Sequence, residues 1–258
     1  GNETSDLMSK EIVTVSCPPF KENEGNIHVN YAALKSDLKP GNYISIDSGL
    51  VKLKVLGKHK KGLKCEVIDG GIVNGHRHVN LPGTVVKLPG ITEADKRDIL
   101  FGMKQKVNFI ALSFVRSSET ILEVRELLGK HASHTEIIAK VENQEGVERL
   151  EEIVQEADGV MVARGDLGIE VELEDVPQIQ RRIAFLCAKY GKRSIVATHM
   201  LESMIEHPVP TRAEVTDVAN AVFEESDAIM LSGETSIGNY PVRSVETLKR
   251  IAKRTEIF

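Results

Sequence analysis

The stretch Ile137-Ile-Ala-Lys-Val-Glu-Asn-Gln144, with Val160-Met-Val-Ala-Arg-Gly-Asp166 further along the chain, decides the fold. Each segment begins as an apolar run and ends in polar residues, which is typical of a buried parallel strand whose carboxyl end opens into a site. Side chains two residues apart on a strand point to the same face, so we expect Lys140 and Glu142 to lie side by side. Asp166 would bring a second carboxylate to the end of the next strand.

A lysine and two carboxylates around one opening indicate a divalent metal and an anionic substrate, because buried charges need a partner or a metal. Lys140 is either a structural partner of Glu142 or a point charge that stabilises a transferring phosphoryl group or an enolate oxygen. Glu142 and Asp166 are either carboxylates at helix N-termini or ligands that share a Mg²⁺ ion.

Two more residues are expected at the same rim. Gly165 is either a turn glycine or a place where backbone N–H groups approach an anionic ligand closely. Thr198 is a strand-end hydroxyl that would contact the substrate. The sequence has neither the phosphate-loop pattern GxxxxGK[ST] nor the zinc-protease pattern HExxH.

Five apolar segments, each followed by a helical pattern, predict a parallel sheet with right-handed crossovers. We expect N-caps at Thr92 and at Thr211, the latter in a capping box with Glu214. Five units fit either a doubly wound open sheet or a (β/α)8 barrel with three more strands upstream. The first residue, Gly1 instead of Met, favours the partial barrel and a truncated chain. The predicted strands are 107–113, 136–141, 159–163, 194–198 and 228–232, and the helices are about 118–129, 145–157, 175–190, 211–225 and 241–255.

The first 84 residues have a different pattern, with short β-type runs separated by turn signals. The runs are 11–15, 42–46, 50–55 and 63–68, and they predict a small antiparallel β domain, a barrel or a sandwich. Leu81-Pro-Gly83 would be the hinge out of it. We therefore expect two domains: residues 1–84, and residues 85–258 as the α/β part.

Composition excludes several classes of protein. The chain has 258 residues, is 41% hydrophobic and 28% charged, and carries a net charge of −5. This acidic balance gives no reason to expect nucleic acid binding, and no apolar run approaches membrane-spanning length. Cys17, Cys65 and Cys187 fit neither a zinc site nor a disulfide framework, and predict reduced thiols in the cytoplasm.

Several long motifs together resemble the pyruvate kinase family. The resemblance is strongest from about residue 78 to residue 245 and is weaker over residues 1–75. Its motifs, in chain order, are Val79-Asn-Leu-Pro-Gly83, Ser113-Phe114, Ile138-Ala-Lys-Val-Glu-Asn-Gln-Glu-Gly146, Met161-Val-Ala-Arg-Gly-Asp-Leu-Gly168, Ala197-Thr-His-Met-Leu-Glu-Ser-Met204, Pro210-Thr-Arg-Ala-Glu214 and Met230-Leu-Ser-Gly-Glu-Thr235.

The resemblance implies a (β/α)8 TIM-type barrel with a small all-β lid domain inserted after its third strand. Residues 1–84 would then be a β-barrel lid, and residues 85–258 a partial barrel without the first three strands or the family's carboxyl-terminal domain. The implied reaction is phosphoryl transfer from phosphoenolpyruvate to ADP, which gives pyruvate and ATP. The implied state is a homo-oligomer, tetrameric in the family, with this chain forming at most a barrel-mediated dimer.

Carried over by position, the resemblance gives each site residue a role. Lys140 would neutralise charge on the phosphoryl group and the enolate, while Glu142 and Asp166 would hold Mg²⁺. Gly165 and Thr198, together with Lys140 and Asp166, would contact the substrate, with Thr198 near the carbon that is protonated. The ligands of the family's K⁺ ion are expected on strands outside this chain.

The chain departs from the family pattern at three places. The family usually has Gln at His199, Asp at Ser48 and Lys-Gly at Arg77-His78. Arg77 could replace the charge of a nucleotide-binding lysine but not its shape. The competing hypotheses are a lyase or aldolase on a related phosphoenolpyruvate barrel, against which the inserted lid argues, and a non-catalytic fragment with exposed sheet edges.

Overall fold

A computed structural model describes residues 4–18, 27–47 and 49–257. The chain divides into two compact units. The first unit runs to Leu88 and includes Ile169–Val171, and the second contains Pro89–Gly168 and the chain from Glu172 onward. The interpretation of residues 1–84 as a lid and of residues 85–258 as a partial barrel stays a prediction.

The first unit is mostly β-structure. Its main sheet has the strand order β3-β2-β6-β5-β4-β8, and β1 pairs with β7. All pairs are antiparallel except the short parallel pair β2–β3. The elements are β1 Ser5–Leu7, β2 Ile12–Ser16, β3 Ile27–His28, α1 Leu34–Asp37, β4 Tyr43–Ile46, β5 Val51–His59, β6 Gly62–Asp69, β7 Gly71–Val73 and β8 Val79–Asn80.

Strand β5 shows why these residues form a sheet. Val51, Leu53 and Val55 are buried, while Lys52 between them is exposed. This alternation, predicted from the sequence, gives the strand one face in the core and one in solvent. The four predicted strand regions are confirmed within a few residues, and the short strands β1, β3, β7 and β8 were not predicted.

The second unit alternates strands and helices as predicted. Its strands are β9 Phe109–Leu112, β10 Glu136–Val141, β11 Gly159–Ala163, β12 Arg193–Ala197 and β13 Ala228–Met230. Its helices are α2 Glu93–Lys104, α3 Ser118–Leu128, α4 Gln144–Glu148, α5 Leu150–Glu156, α6 Arg164–Glu170, which ends within the first unit, α7 Val176–Tyr190, α8 Arg212–Phe223, α9 Gly233–Ser236 and α10 Pro241–Thr255.

The five strands lie side by side in chain order, β9 to β13, and every pair is parallel. A doubly wound sheet would reverse its strand order at a switch point, whereas consecutive strands of a (β/α)8 barrel keep chain order. The second unit therefore has the architecture of part of a (β/α)8 barrel.

The strand register brings the polar strand ends to one edge of this sheet. Val141 of β10 pairs with Val162 of β11, and Ala163 pairs with Ala197 of β12. The residues that follow these pairs, among them Glu142 and Thr198, therefore leave the sheet at nearly the same level. In βα folds this carboxyl edge is where active sites form.

Helix ends follow the predicted caps. Thr92 Oγ1 accepts a hydrogen bond from Asp95 N at 3.1 Å, and Thr211 Oγ1 accepts one from Glu214 N at 3.2 Å. Both caps are reciprocal capping boxes. The single helix predicted over 145–157 is wrong in one respect, because Arg149 adopts φ −100° and ψ 21° and separates α4 from α5.

None of the helices that the described residues form has both the length and the apolar character needed to cross a bilayer.

The three thiols differ in access. Cys65 and Cys187 are buried, and burial raises the pKa of each thiol to about 12. Cys17 is half-buried. Because the thiolate is the reactive form, a thiol of such high pKa is unreactive at pH 8.

We expect Ellman's reagent at pH 8 to modify Cys17 in the native protein, and Cys65 and Cys187 only after denaturation. The count of thionitrobenzoate released before and after guanidinium addition measures this, and Cys17→Ser should abolish the native signal. Rapid release of one or more equivalents from the native Cys17→Ser variant would contradict the burial of the other two thiols.

Candidate active site

The predicted pair at the end of β10 is present. Lys140 Nζ lies 2.8 Å from Glu142 Oε1 and donates a hydrogen bond to Ser113 Oγ at 3.1 Å. The Glu142 residue is fully buried, whereas 24% of the Lys140 side chain is exposed. The two side chains therefore share one face, as predicted, with the ammonium group nearer to solvent than the carboxylate.

The turn after β9 holds the other oxygen of Glu142. Phe114 N donates to Glu142 Oε2 at 2.6 Å. Phe114 has φ +52°, in the left-handed region that a bulky residue rarely adopts and that costs about 1–3 kcal/mol. This turn points a backbone N–H at the carboxylate and fixes its orientation.

Glu142 Oε1 still has capacity for a further cation. Its 2.8 Å contact with Lys140 Nζ is an ion pair, but the angles do not meet hydrogen-bond geometry, and no described residue donates a hydrogen bond to this buried oxygen. A buried anionic oxygen without a donor is costly, so it suits a site that a metal ion completes.

Asp166 lies in the first turn of α6, which begins directly after β11. No hydrogen bond or ion pair to its side chain is formed by the residues that the structure describes. The carboxylate is thus placed where the positive end of a helix favours it and where it can still ligate. Both interpretations drawn from the sequence, helix-terminal carboxylate and metal ligand, fit this position.

Gly165 and Thr198 contact each other. Gly165 N donates to Thr198 Oγ1 at 2.7 Å, and Thr198 Oγ1 donates to Ala197 O at 2.6 Å. A Cβ atom at Gly165 would stand 3.5 Å from Thr198 Oγ1 and 3.6 Å from His199 Cε1, which is ordinary van der Waals contact. The Gly165 N–H expected to approach an anionic ligand is directed at a hydroxyl in this structure.

Sequence reasoning missed two residues that organise this edge. Arg164 donates from Nη2 to Thr198 O at 2.6 Å and pairs with Asp217 at 2.8 Å. Glu234, fully buried, accepts from Leu201 N at 2.9 Å through Oε1 and from Ser232 N at 2.8 Å through Oε2. Both lie within motifs quoted above, but nothing in the pattern shows which backbone atoms they would hold.

The donor set limits how a metal would be bound. Among the described residues, no group of three or more His, Cys, Asp or Glu side chains is placed to hold a metal ion. Mg²⁺ commonly takes only one or two protein carboxylates and completes its shell with water and substrate oxygens. The two carboxylates of Glu142 and Asp166 fit that pattern. The described residues do not form a metal site made of protein ligands alone.

Arg77, the candidate nucleotide contact, belongs to the first unit. Its Nε lies 3.4 Å from Asp47 Oδ2, and 42% of its side chain is exposed. Asp47 has φ +55° and donates from its backbone N to His78 O at 3.0 Å. Ser48, one of the departures noted above, lies outside the described residues.

A comparison with family models matches residues 2–245 to the barrel domain of pyruvate kinase. The chain belongs to the pyruvate kinase family. This match covers most of both units and disfavours the lyase or aldolase hypothesis.

Curated relatives agree with the family match. The chain is 51% identical to a pyruvate kinase of Geobacillus stearothermophilus over 99% of its own length and 44% of the relative. It is 45% identical to a pyruvate kinase of Clostridium perfringens over 99% of its own length and 54% of that relative. It is 47% identical to a pyruvate kinase of Bacillus licheniformis over 99% of its own length and 44% of that relative. The chain spans about half the length of the curated relatives it matches.

Gly146 supports the turn that holds Glu142. A Cβ atom at Gly146 would stand 2.6 Å from Val115 O, a backbone atom next to Phe114. Gly146→Ala is therefore expected to displace this turn and to destabilise the fold by about 1–3 kcal/mol, as overpacking does. Thermal unfolding measures the loss.

The matched control for this prediction is Gly168→Ala, whose Cβ would meet Leu173 Cδ1 at an ordinary 3.4 Å. We expect its melting temperature to stay within a few degrees of the wild type. Equal melting temperatures for Gly146→Ala and the wild type would show that the turn does not depend on this close approach.

Proposed function

We propose that the protein carrying this chain is a pyruvate kinase, which transfers the phosphoryl group of phosphoenolpyruvate to ADP in a Mg²⁺-dependent reaction, the last step of glycolysis. The observation that carries the proposal is the Lys140–Glu142 pair at the end of β10, with Ser113 directly after the neighbouring strand β9 and Gly165 and Asp166 after β11. The family relationship indicates which reaction to expect. The carboxyl edge of the sheet has an ammonium group and carboxylates of the kind that this reaction needs.

Lys140 would stabilise the negative charge of the reaction. Its Nζ is anchored by Glu142 on one side and Ser113 on the other, so the charge is held in place before the substrate binds. Preorganised positive charge near a transferring phosphoryl group stabilises a transition state without reorganisation cost. The same charge would stabilise the enolate oxygen that forms as the phosphoryl group leaves.

Glu142 and Asp166 would hold Mg²⁺, which when bound neutralises phosphate charge and fixes the position of the substrate. The donor-less Glu142 Oε1 and the uncommitted Asp166 carboxylate support this assignment. Phe114 N and Lys140 hold the Glu142 carboxylate in one orientation, so the protein's part is to present its oxygens in fixed positions.

Gly165 and Thr198 would contact the bound substrate. The Thr198 hydroxyl is fixed by Gly165 N and Ala197 O, which sets the position of its oxygen and its proton. The missing side chain of Gly165 leaves room beside that hydroxyl. We place the carbon that is protonated next to Thr198.

The remaining assignments rest on the family. Arg77 would contact the nucleotide, the first unit would be the lid domain, and K⁺ would bind to residues outside this chain. We further propose a homo-oligomer located in the cytoplasm. Membership of the pyruvate kinase family supports these inferences. The half-exposed charge of Arg77 supports the nucleotide contact alone.

We expect Lys140→Met to lower kcat by a factor on the order of 10³, while leaving metal binding largely intact, because the lost charge acts mainly in the transition state. Pyruvate formation from phosphoenolpyruvate and ADP with Mg²⁺ and K⁺ measures turnover, and Mn²⁺ titration by electron paramagnetic resonance measures metal affinity. Lys130→Met, at an exposed position, is the matched control. Strongly reduced metal affinity with normal turnover would contradict this role for Lys140.

We expect Glu142→Gln and Asp166→Asn each to raise the Mg²⁺ concentration that gives half-maximal turnover, since an amide is a weaker ligand than a carboxylate. A Mg²⁺ titration of the initial rate measures the shift. Glu174→Gln, an exposed carboxylate in a short 3₁₀ turn, should leave the titration unchanged. If neither site variant shifts the Mg²⁺ dependence, the two carboxylates are not metal ligands.

A further inference from the structure

Thr198 holds an uncommon backbone conformation. Its φ is +68°, and His199 follows with φ +54°. A β-branched residue in the left-handed region is an outlier that persists only where the surroundings impose it. Some contact must therefore hold the Thr198 backbone, and the proposed role of its hydroxyl gives that contact a functional consequence.

Arg164 makes the strongest contact with that backbone. Its Nε and Nη2 both donate to Thr198 O, at 3.2 Å and 2.6 Å. The Arg164 side chain is only 10% exposed, and Nη2 also lies 2.8 Å from Met200 Sδ. Two donors of one rigid fork on a single carbonyl define its direction more closely than one bond can.

The far side of the guanidinium is anchored to two helices. Nη1 lies 2.8 Å from Asp217 Oδ1 on α8 and donates to Gln180 Oε1 on α7 at 3.4 Å. Gln180 is buried and is itself fixed through a 2.7 Å bond from Nε2 to Glu224 Oε2. Since all three guanidinium nitrogens are engaged, the fork cannot turn away from Thr198.

Arg164 and Gly165 thus hold two atoms of Thr198, its carbonyl oxygen and its hydroxyl oxygen. The Arg164 side chain fixes the carbonyl oxygen, and the Gly165 N–H fixes Oγ1 at 2.7 Å. We infer that Arg164 is a positioning residue that imposes the left-handed conformation of Thr198 and thereby aims its hydroxyl. This inference rests on the proposed function, in which Thr198 contacts the substrate.

The charge of Arg164 is already used within the protein. Asp217 neutralises it at 2.8 Å, and Thr198 O, Gln180 and Met200 occupy the nitrogens. A substrate-binding arginine would instead keep part of its fork for the anion. Arg164 therefore acts through Thr198 and not as a direct ligand of phosphate.

The primary test is Arg164→Lys, which keeps the charge but cannot place two donors on the Thr198 carbonyl. We expect kcat to fall by about 10- to 100-fold, since misplacing a catalytic contact by about 1 Å costs on this order. The KM for phosphoenolpyruvate and the Mg²⁺ dependence should change by less than about threefold. Arg193→Lys, at the opposite end of β12 and paired with Glu136, is the matched control and should retain wild-type rates.

A double-mutant cycle separates positioning from general stability. If Arg164 acts through the Thr198 side chain, adding Arg164→Lys to Thr198→Ala should cause little further loss of kcat, whereas independent effects would multiply. Multiplying effects, or a wild-type kcat for Arg164→Lys, would overturn the inference. If Arg164→Lys does not fold, Asp217→Asn, which loosens the same guanidinium, takes its place in the cycle with the same expected outcomes.

The outcomes distinguish this inference from the proposed function. Wild-type protein without pyruvate formation, or Thr198→Ala with wild-type rates, would contradict the proposed function or its assignment of Thr198. An impaired Thr198→Ala beside an unimpaired Arg164→Lys and Asp217→Asn would contradict the positioning role alone.

Discussion

The contact between Lys140 Nζ and Glu142 Oε1 brings opposite charges to 2.8 Å in a place where the carboxylate is fully buried. Burial of such a pair costs desolvation free energy, so neighbouring groups must form hydrogen bonds with both charged side chains. Ser113 does this for the ammonium group and the Phe114 N–H for the carboxylate, which requires a strained turn after β9. The same turn leaves no room for a side chain at Gly146, whose Cβ would stand 2.6 Å from Val115 O.

Much of the second unit was predictable because its signal is local. The apolar runs locate β10 and β11 to the residue, and Thr92 and Thr211 mark helix starts through short-range hydrogen bonds. The βα pattern by itself suits two folds, and only the first residue and the family resemblance favoured the partial barrel. The observed strand order, which depends on long-range pairing, decided it. Two-residue strands such as Val79–Asn80 give no periodicity to detect.

The site was predictable where it depends on the alternation of side chains along one strand. It was not predictable where it depends on packing between elements. Lys140 and Glu142 share a face because they are two apart, so their contact follows from the strand assignment. Arg164 contacts Thr198 because Ala163 and Ala197 are in register and because α7 and α8 supply partners for its fork. Nothing in the residue type of Thr198 indicates a positive φ, and only the fold reveals it.

Whether the buried pair is functional or merely structural is the question on which the proposed mechanism depends most. The double variant Lys140→Met with Glu142→Gln removes both charges at once, so neither charge is left buried without its partner, which is the change that strongly destabilises a fold. We therefore expect a melting temperature within a few degrees of the wild type together with no measurable pyruvate formation. A double variant that folds and still turns over at a rate near the wild type would contradict the central claim.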